Sequence, residues 1–312
     1  MPKPIIIDCD PGQDDAIMLL LAFASPDELD IRGITTVAGN VPLDLTQRNA
    51  RIICELGGRT EIPVYAGCSR PMVRDLVTAE AVHGQTGLDG IDIYEPEKKL
   101  EIGHGVDFIV DRLMAAGEAE ITLVPTGPLT NIAMAMVLEP RILPKIAEIV
   151  FMGGAMREAG NTSPSAEFNM LVDPHAAHTV LTCGRPITAL GLDATHQVIT
   201  TPERLSAIAA VGSSVARAAH DMLEFYDRHD MEKYGSPGGP LHDPCTIAYL
   251  IEPDLFEGRQ VNVTIDLGSE LTIGHTAVDY WRVTDRPKNV NWISVVDADG
   301  FYRLLTERLA WL

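Results

Sequence analysis

Short apolar runs of strand length alternate with longer stretches of helical period along most of the chain. That rhythm is the mark of βαβ units built around a mostly parallel sheet. Residues 5–9 (Ile-Ile-Ile-Asp-Cys) read as a buried strand. Residues 14–24, apolar nearly all round, read as a core-packed helix ending before Ser25-Pro26. A strand over 31–37, a helix over 43–56 stopped by Gly57-Gly58 and a short strand over 62–66 follow. Residues 68–100 are mostly irregular, and long loops in compact domains usually carry function. The rhythm then resumes: helices over 106–116, 129–137 and 174–183, strands over 121–125, 149–152 and 187–192, and a loop over 153–171. Helices are expected over 202–210, 215–234, 244–251 and 300–312. Residues 261–267, 275–283 and 290–296 read as strands near a sheet edge. No internal repeat or long linker interrupts this pattern. The expectation is a single large domain over residues 1–312, an α/β doubly wound, mostly parallel (mixed) sheet of Rossmann-like kind.

Composition narrows the function classes. The chain has 312 residues with 24 Lys+Arg against 44 Asp+Glu, a net charge of −20. So acidic a protein repels phosphates, which argues against nucleic acid or an anionic membrane as partner and favours a neutral or cationic ligand. The five cysteines (Cys9, Cys54, Cys68, Cys183, Cys245) are scattered without a C-x-x-C pair. They read as reduced thiols of an intracellular protein rather than a disulfide framework or zinc ribbon. No run approaches the ~20 apolar residues of a membrane span, and the short apolar start, broken by Asp8 and Asp10, is no signal peptide. A cytoplasmic location is expected.

In open α/β sheets, ligands bind beyond the carboxyl ends of the strands where the strand order switches. The first strand delivers Asp8, Asp10, Asp14 and Asp15 there; the second delivers Asn40, the fourth Thr126-Gly127, the fifth Met152-Gly153-Gly154 and the sixth Asp193. Asp14 and Asp15 could serve as helix caps or dipole partners. Asp8 and Asp10 on an apolar strand have no such explanation, since an unpaired buried carboxylate costs several kcal/mol or more, roughly. A bound cation removes that cost. Oxygen ligands select a hard ion, Ca²⁺ before Mg²⁺. Downstream, His242-Asp243-Pro244 offers a carboxylate beside a histidine, with a simple helix N-cap as the plain alternative. Asn161, Glu167 and Asn169 around Phe168 make a hydrogen-bonding cluster suited to a polyol.

The stretch Asp8-Cys9-Asp10-Pro11-Gly12-Gln13-Asp14-Asp15 resembles the N-terminal fingerprint of the nucleoside hydrolases, the inosine-uridine preferring nucleoside N-ribohydrolases. Val37-Ala38-Gly39-Asn40, Thr126-Gly127-Pro128-Leu129-Thr130-Asn131, Met152-Gly153-Gly154-Ala155, Ala166-Glu167-Phe168-Asn169 with Asp173-Pro174, and His242-Asp243-Pro244 follow in family order. Gln13 fills a variable position of the fingerprint. The resemblance implies a nucleoside hydrolase fold and Ca²⁺-dependent hydrolysis of ribonucleosides to ribose and free base. It implies metal ligation by Asp10, Asp15, the Thr126 carbonyl and Asp243. Ribose would be gripped by Asp14, Asn40, the Met152 backbone, Asn161, Glu167 and Asn169, with Asp8 supporting the loop. His83 and His242 would face the base, and the chain would form homodimers or homotetramers serving nucleoside salvage or catabolism.

That chemistry suits these residues. A metal lowers the pKa of a bound water and Asp10 takes the proton, while surrounding carboxylates and carbonyls stabilise an oxocarbenium-like sugar. Chelating both ribose hydroxyls would exclude 2′-deoxyribose, by up to ~10⁴–10⁵-fold. His242 is the expected donor to the departing base. Tyr226, His229 and Tyr234 are candidates to stack on it. Having both histidines resembles pyrimidine-leaning members, so uridine and cytidine are expected first, then inosine. Without an Arg cluster or a Gly-rich phosphate loop, 5′-nucleotides should be rejected. His175 and His178 share a helix face without an evident third ligand. Two rival readings are a haloacid-dehalogenase-type phosphohydrolase, which shares the strand followed by D-x-D but needs a different continuation, and a non-catalytic Ca²⁺-dependent nucleoside or sugar binder.

Overall fold

The fold is built on β1 (Lys3–Cys9), whose Ile5, Ile6 and Ile7 are completely buried. The period-2 alternation of a strand sends Ile5, Ile7 and Cys9 into the apolar core on one face of the sheet and Ile6 into the core on the other. Each such side chain contributes roughly 1.5–3 kcal/mol of transfer free energy, so a strand buried on both faces needs no polar alternation. The computed structural model describes residues 1–312, including all side chains but those of Asp230, Lys233 and Tyr234.

From β1 the chain enters α1 (Gln13–Phe23), all eleven residues of which are buried. It continues through β2 (Leu29–Thr36), α2 (Leu43–Leu56), β3 (Val64–Ala66), the short α3 (Glu80–His83), α4 (Gly105–Ala115), β4 (Ile121–Pro125), α5 (Thr130–Leu138) and β5 (Ile146–Met152). Then come α6 (Phe168–Val172), α7 (Pro174–Leu181), β6 (Ile187–Leu190), α8 (Leu192–Thr195), α9 (Pro202–Ala210), α10 (Ser214–Tyr234) and α11 (Pro244–Ile251). The chain closes with β7 (Phe256–Val261), β8 (Val263–Ile265), β9 (Thr276–Val278), β10 (Val290–Val296) and α12 (Ala298–Leu309). Eight strands form one sheet in the order β3-β2-β1-β4-β5-β6-β10-β7. All neighbours run parallel except the outer pair β10–β7. The expected α/β architecture with a mostly parallel, mixed sheet is what the chain adopts. Helix α1 packs against α2, α10, α11 and α12 on one face; α4, α5 and α7 contribute the core on the other.

After β1 the chain moves outward to β2 and β3, then returns to place β4 on β1's other side. The carboxyl ends of β1 and β4 therefore flank the switch in strand order, where such sheets open a crevice.

Three sequence expectations need correction. The strand expected over 261–267 is two strands in two sheets: β7 ends at Val261, Asn262 ties sideways to the Pro287 carbonyl, and β8 pairs only with β9. The strand expected over 275–283 stops at Val278 because the Asp279 carboxylate takes up the amides of Val283 and Thr284, a local side-chain turn that competes with the ladder. The loop expected over 153–171 ends in α6, started by Glu167, whose carboxylate accepts from the Asn169 and Met170 amides.

Candidate active site

At the switch point the turn from β1 into α1 carries the acidic fingerprint. Asp8, still on the strand, accepts from Thr35 Oγ1 at 2.6 Å and Asn131 Nδ2 at 2.7 Å. It thereby ties β1 to β2 and α5, the supporting role expected of it. Asp10 accepts the Asn40 amide at 2.7 Å. A Cβ on Gly39 or Gly127 would lie 2.0 or 2.4 Å from the two Asp10 carboxylate oxygens, so glycine at both positions makes room for the group. Asp15 accepts from Gly12 N (3.1 Å), Asn40 Nδ2 (3.2 Å) and Thr126 Oγ1 (2.7 Å). Asp243 comes from the other end of the chain. It occupies the N-cap position of α11 but makes no side-chain cap bond, so the plain N-cap explanation does not account for its carboxylate.

Asp10, Asp14, Asp15 and Asp243 are 1%, 5%, 0% and 3% exposed. Oxygens of Asp14, Asp15 and Asp243 lie within 4.8 Å of one another, and Asp14 Oδ1 is buried without a partner. Burial, reinforced by neighbouring carboxylates, pushes Asp14 up to about 7 and raises Asp10 and Asp243, and burial raises Asp15 as well. Among the described residues no Lys or Arg forms an ion pair with any of them. Several like charges sealed from water without a counter-charge either hold protons or hold a cation. An all-oxygen donor set fits a hard divalent ion. Asp14 shares this carboxylate triangle, whereas the carboxylate of Asp10 is engaged by Asn40 beside it.

Above the carboxylates lies a cavity of about 550 Å³, within the range of small-molecule sites. Asp14, Asn40, Thr126, Met152, Glu167, Asn169, Asn161, His83, His242 and Asp243 all line it, so the structure brings nearly every sequence-identified residue to one place. Asp10 and Asp15 lie beneath, beyond the cavity lining. The amide nitrogens here are turned inward. Asn169 Nδ2 donates to the carbonyls of Thr126 (2.7 Å) and Met152 (3.2 Å), and Asn40 Nδ2 to the Asp10 carbonyl (3.1 Å). Their amide oxygens receive no donor from the described residues, and Asp14 Oδ1 receives none either. The wall is thus rich in acceptors, which suits a ligand that brings hydroxyl donors. Asn161 is exposed and spends its Oδ1 on the Phe168 amide at 3.0 Å.

The base of the wall is held by groups that the sequence motifs contain for structural reasons. Asp173 caps α7 through the Ala176 amide and ties Thr130 and Met72 to it. Asp193 accepts the amides of Met156, Arg157 and Glu158, pinning the loop that follows β5. The rim is histidine-rich. His83 Nδ1 contacts Gln13 Oε1 at 2.8 Å, and its ring lies 5.5 Å from that of Tyr226. His242 Nδ1 contacts Thr195 Oγ1 at 2.8 Å. Burial pushes His83 down to about 3 and His242 well below its usual range, so both rings are neutral at neutral pH. His196 also lines the cavity, 5.8 Å from His242 and 3.0 Å from Glu158. Sequence reasoning missed it, because a lone histidine after a short helix carries no motif. Tyr226 and His229 line the cavity as well; the side chain of Tyr234 lies outside the described residues. Helix α7, with His175 and His178, contributes nothing to the lining. Among the described residues, Asp14, Asp15 and Asp243 form the one cluster of three with metal-ligating spacing.

Residues 5–303 match the family model described as "Inosine-uridine preferring nucleoside hydrolase". The pyrimidine-specific ribonucleoside hydrolase RihA of Photobacterium profundum is 47% identical over 311 residues, covering 99% of each chain. Among solved structures, a plant nucleoside hydrolase, PpNRh1, superposes with a TM-score of 0.93 at 32% identity over 99% of both chains. A purine-preferring ribonucleoside hydrolase from Gardnerella vaginalis does so at 0.91 and 32%, over 99% of this chain and 98% of its own.

Proposed function

Because the chain belongs to the inosine-uridine preferring nucleoside hydrolase family and is therefore a hydrolase of ribonucleosides, we propose that it uses Ca²⁺ and prefers pyrimidine ribonucleosides, uridine and cytidine before inosine. The observation that carries the metal assignment is the sealed group of carboxylates, one oxygen of it unpartnered, opening onto an acceptor-lined cavity. Asp10, Asp15, the Thr126 carbonyl and Asp243 would hold the ion, with Asp14 beside them. Bound there, Ca²⁺ supplies a Lewis-acid centre that acidifies water and fixes a vicinal diol.

The chain's own groups then divide the work. The glycosidic C–N bond breaks as a water oxygen bonds to the anomeric carbon, and Asp10 takes that water's proton on its carboxylate. Asp14, Asn40, Asn161, Glu167, Asn169 and the Met152 carbonyl orient the ribose. The acceptor atoms of Asp14, Asn40 and Asn169 would face the positive charge that grows on the sugar ring, the inverse of an oxyanion hole. The departing base takes its proton through the ring of His242, which takes one up from solvent as it gives one, and His83 lines the same cavity. Pyrimidine preference is supported by the 47% identical pyrimidine-specific relative. A structural neighbour of the same fold is named purine-preferring at lower identity, so the fold alone does not set base choice.

Among the described residues no helix is long and apolar enough to cross a membrane. The five cysteines are free, as suits a reducing compartment, and we assign the protein to the cytoplasm as a homodimer or homotetramer in nucleoside salvage or catabolism. The deciding experiment is a reducing-sugar assay over uridine, cytidine, inosine and uridine 5′-monophosphate, with and without chelator. Ribose release from uridine that is lost with Ca²⁺ supports the reading, and the charge of the site predicts that the monophosphate is refused. Phosphate release, or calorimetric binding without turnover, would replace it with one of the rival readings.

A further inference from the structure

Gln13 is fully buried at the first position of α1, although the fingerprint leaves its identity open. Its Nε2 donates to the carbonyl of His83 at 2.9 Å and to that of Asp89 at 3.0 Å. Carbonyl oxygens only accept, so the amide has one possible orientation: its nitrogen faces both of them and its Oε1 faces away. That Oε1 lies 2.8 Å from His83 Nδ1. An amide oxygen cannot donate, so Nδ1 must carry the proton of this bond. In the neutral ring Nε2 is then bare. No described residue hydrogen-bonds Nε2, and the ring edges the cavity. The surrounding loop is tied down too: Asn49 Nδ2 bridges the carbonyls of Pro11 and Thr86 at 3.0 and 2.8 Å, and Gly12 leaves room for the ring where a Cβ would lie 2.3 Å from Nδ1.

We propose that Gln13 is a positioning residue that locks His83 as the Nδ1–H tautomer, so that His83 meets the bound nucleoside as a hydrogen-bond acceptor through Nε2 and selects ligands presenting an N–H or O–H donor there. This rests on the nucleoside reading of the cavity for its ligand, but not for its tautomer. With the 2′- and 3′-hydroxyls engaged by the ion in that reading, uridine keeps two such donors: the imide N–H of the base and the 5′-hydroxyl. The assignment sets His83 apart from His242, whose partner Thr195 Oγ1 is a hydroxyl that either donates or accepts and so imposes no tautomer.

The tautomer is read directly in the full-length protein labelled with ¹⁵N-histidine, using long-range ¹H–¹⁵N correlation at neutral pH and a His83→Gln variant for assignment. The expected spectrum has a pyrrole-like Nδ1 and a pyridine-like Nε2 for His83, and Gln13→Leu shifts it toward the opposite tautomer. In steady-state assays Gln13→Leu raises KM for uridine about tenfold while kcat changes less, the cost of one misdirected hydrogen bond. With the wild type, either 3-methyluridine (imide donor blocked) or 5′-deoxyuridine (hydroxyl donor removed) loses about tenfold in kcat/KM against uridine, and His83→Phe abolishes that difference. Whichever analogue suffers identifies the donor. A pyridine-like Nδ1 in the wild type, or both analogues matching uridine, overturns the proposal. If uridine is not hydrolysed at all, the nucleoside reading fails while the spectrum still decides the tautomer.

Discussion

The cavity has two unlike halves. Its floor is acidic and comes from strand ends: Thr126 after β4 and Met152 closing β5, with Asp14 on α1, and beneath them Asp10 after β1 and Asp15 on α1. Its rim is aromatic and histidine-rich, and comes from separate places: His83 on α3, Tyr226 and His229 on α10, His196 after α8 and His242 before α11. Floor residues are fixed by sheet register and by hydrogen bonds to backbone, such as Asp10 to the Asn40 amide. Several rim residues are held by side-chain contacts across long stretches of chain, as Gln13 and His83 are across 70 positions. In the reading proposed above, bond cleavage and sugar recognition fall to the floor, and the choice of base to the rim. Neighbours of one fold that differ in their named base preference are what such a division produces.

The largest expected effect tests the floor's sugar recognition. A site that pairs with a ribose hydroxyl leaves its own groups unpaired when that hydroxyl is missing, so 2′-deoxyuridine should react ~10⁴–10⁵-fold more slowly than uridine in kcat/KM. Comparable rates would show that the floor does not clasp the diol. Next comes Asp10→Asn, which keeps the shape of the side chain but removes its ability to take a proton. Its kcat should fall by ~10²–10⁴ with an unchanged circular dichroism spectrum. A variant retaining most of its kcat would move the proton acceptor elsewhere, with Asp14 the first alternative.

How much of this was legible in the sequence follows the same division. Asp8, Asp10, Asp14 and Asp15 sit within eight residues on a strand–turn–helix, so local pattern alone places them at a strand's carboxyl end. Asn40 and Thr126 follow by the same rule on neighbouring strands. The rule says where a residue lies but not what it touches. Asp173 and Asn131 belong to stretches that carry the resemblance, yet they serve as a helix cap and as strand and loop ties. Gln13 offered no signal because its partners lie in the irregular stretch over 68–100. His196 had no motif to mark it, and the outer strands were misread where one asparagine and one aspartate break apolar runs. Apolar periodicity reports burial, whereas rim contacts depend on which distant loops meet, and that is settled by the whole core.

A third test asks whether the floor needs its ion for stability. The Asp14 carboxyl stands near 7 in the folded chain through burial and its like-charged neighbours, against an ordinary 3.8. A carboxyl raised in this way favours the fold below its unfolded value, and that advantage is lost as pH rises through the folded value. Metal-free protein should therefore lose stability between about pH 4 and 7, with Asp10, Asp15 and Asp243 shifted in the same sense. A bound divalent ion makes the charged forms the favoured ones. The gap in Tm between Ca²⁺-loaded and chelated protein should then widen over that window, reaching on the order of 5 °C at saturating Ca²⁺. A gap that stays flat from pH 5 to 8 would mean that these carboxylates do not bind the ion.

The smallest effect is the one that most sharpens the division, because it should leave the floor untouched. His196 sits at the cavity edge, paired with Glu158 and a third exposed. Replacing it with alanine removes one wall from the base's surroundings and none from the sugar's. The ratio of kcat/KM for uridine over inosine should change several-fold, by less than the roughly tenfold that one full hydrogen bond to an uncharged group is worth. The discrimination against 2′-deoxyuridine should not change. If His196→Ala weakens ribose against deoxyribose selection as well, rim and floor are one coupled unit and base preference cannot be retuned by rim substitutions alone. If both ratios stay at their wild-type values, the base lies nearer His83 and Tyr226, and the Thr195–His242–His196 side of the cavity serves to position Asp243 at the start of α11.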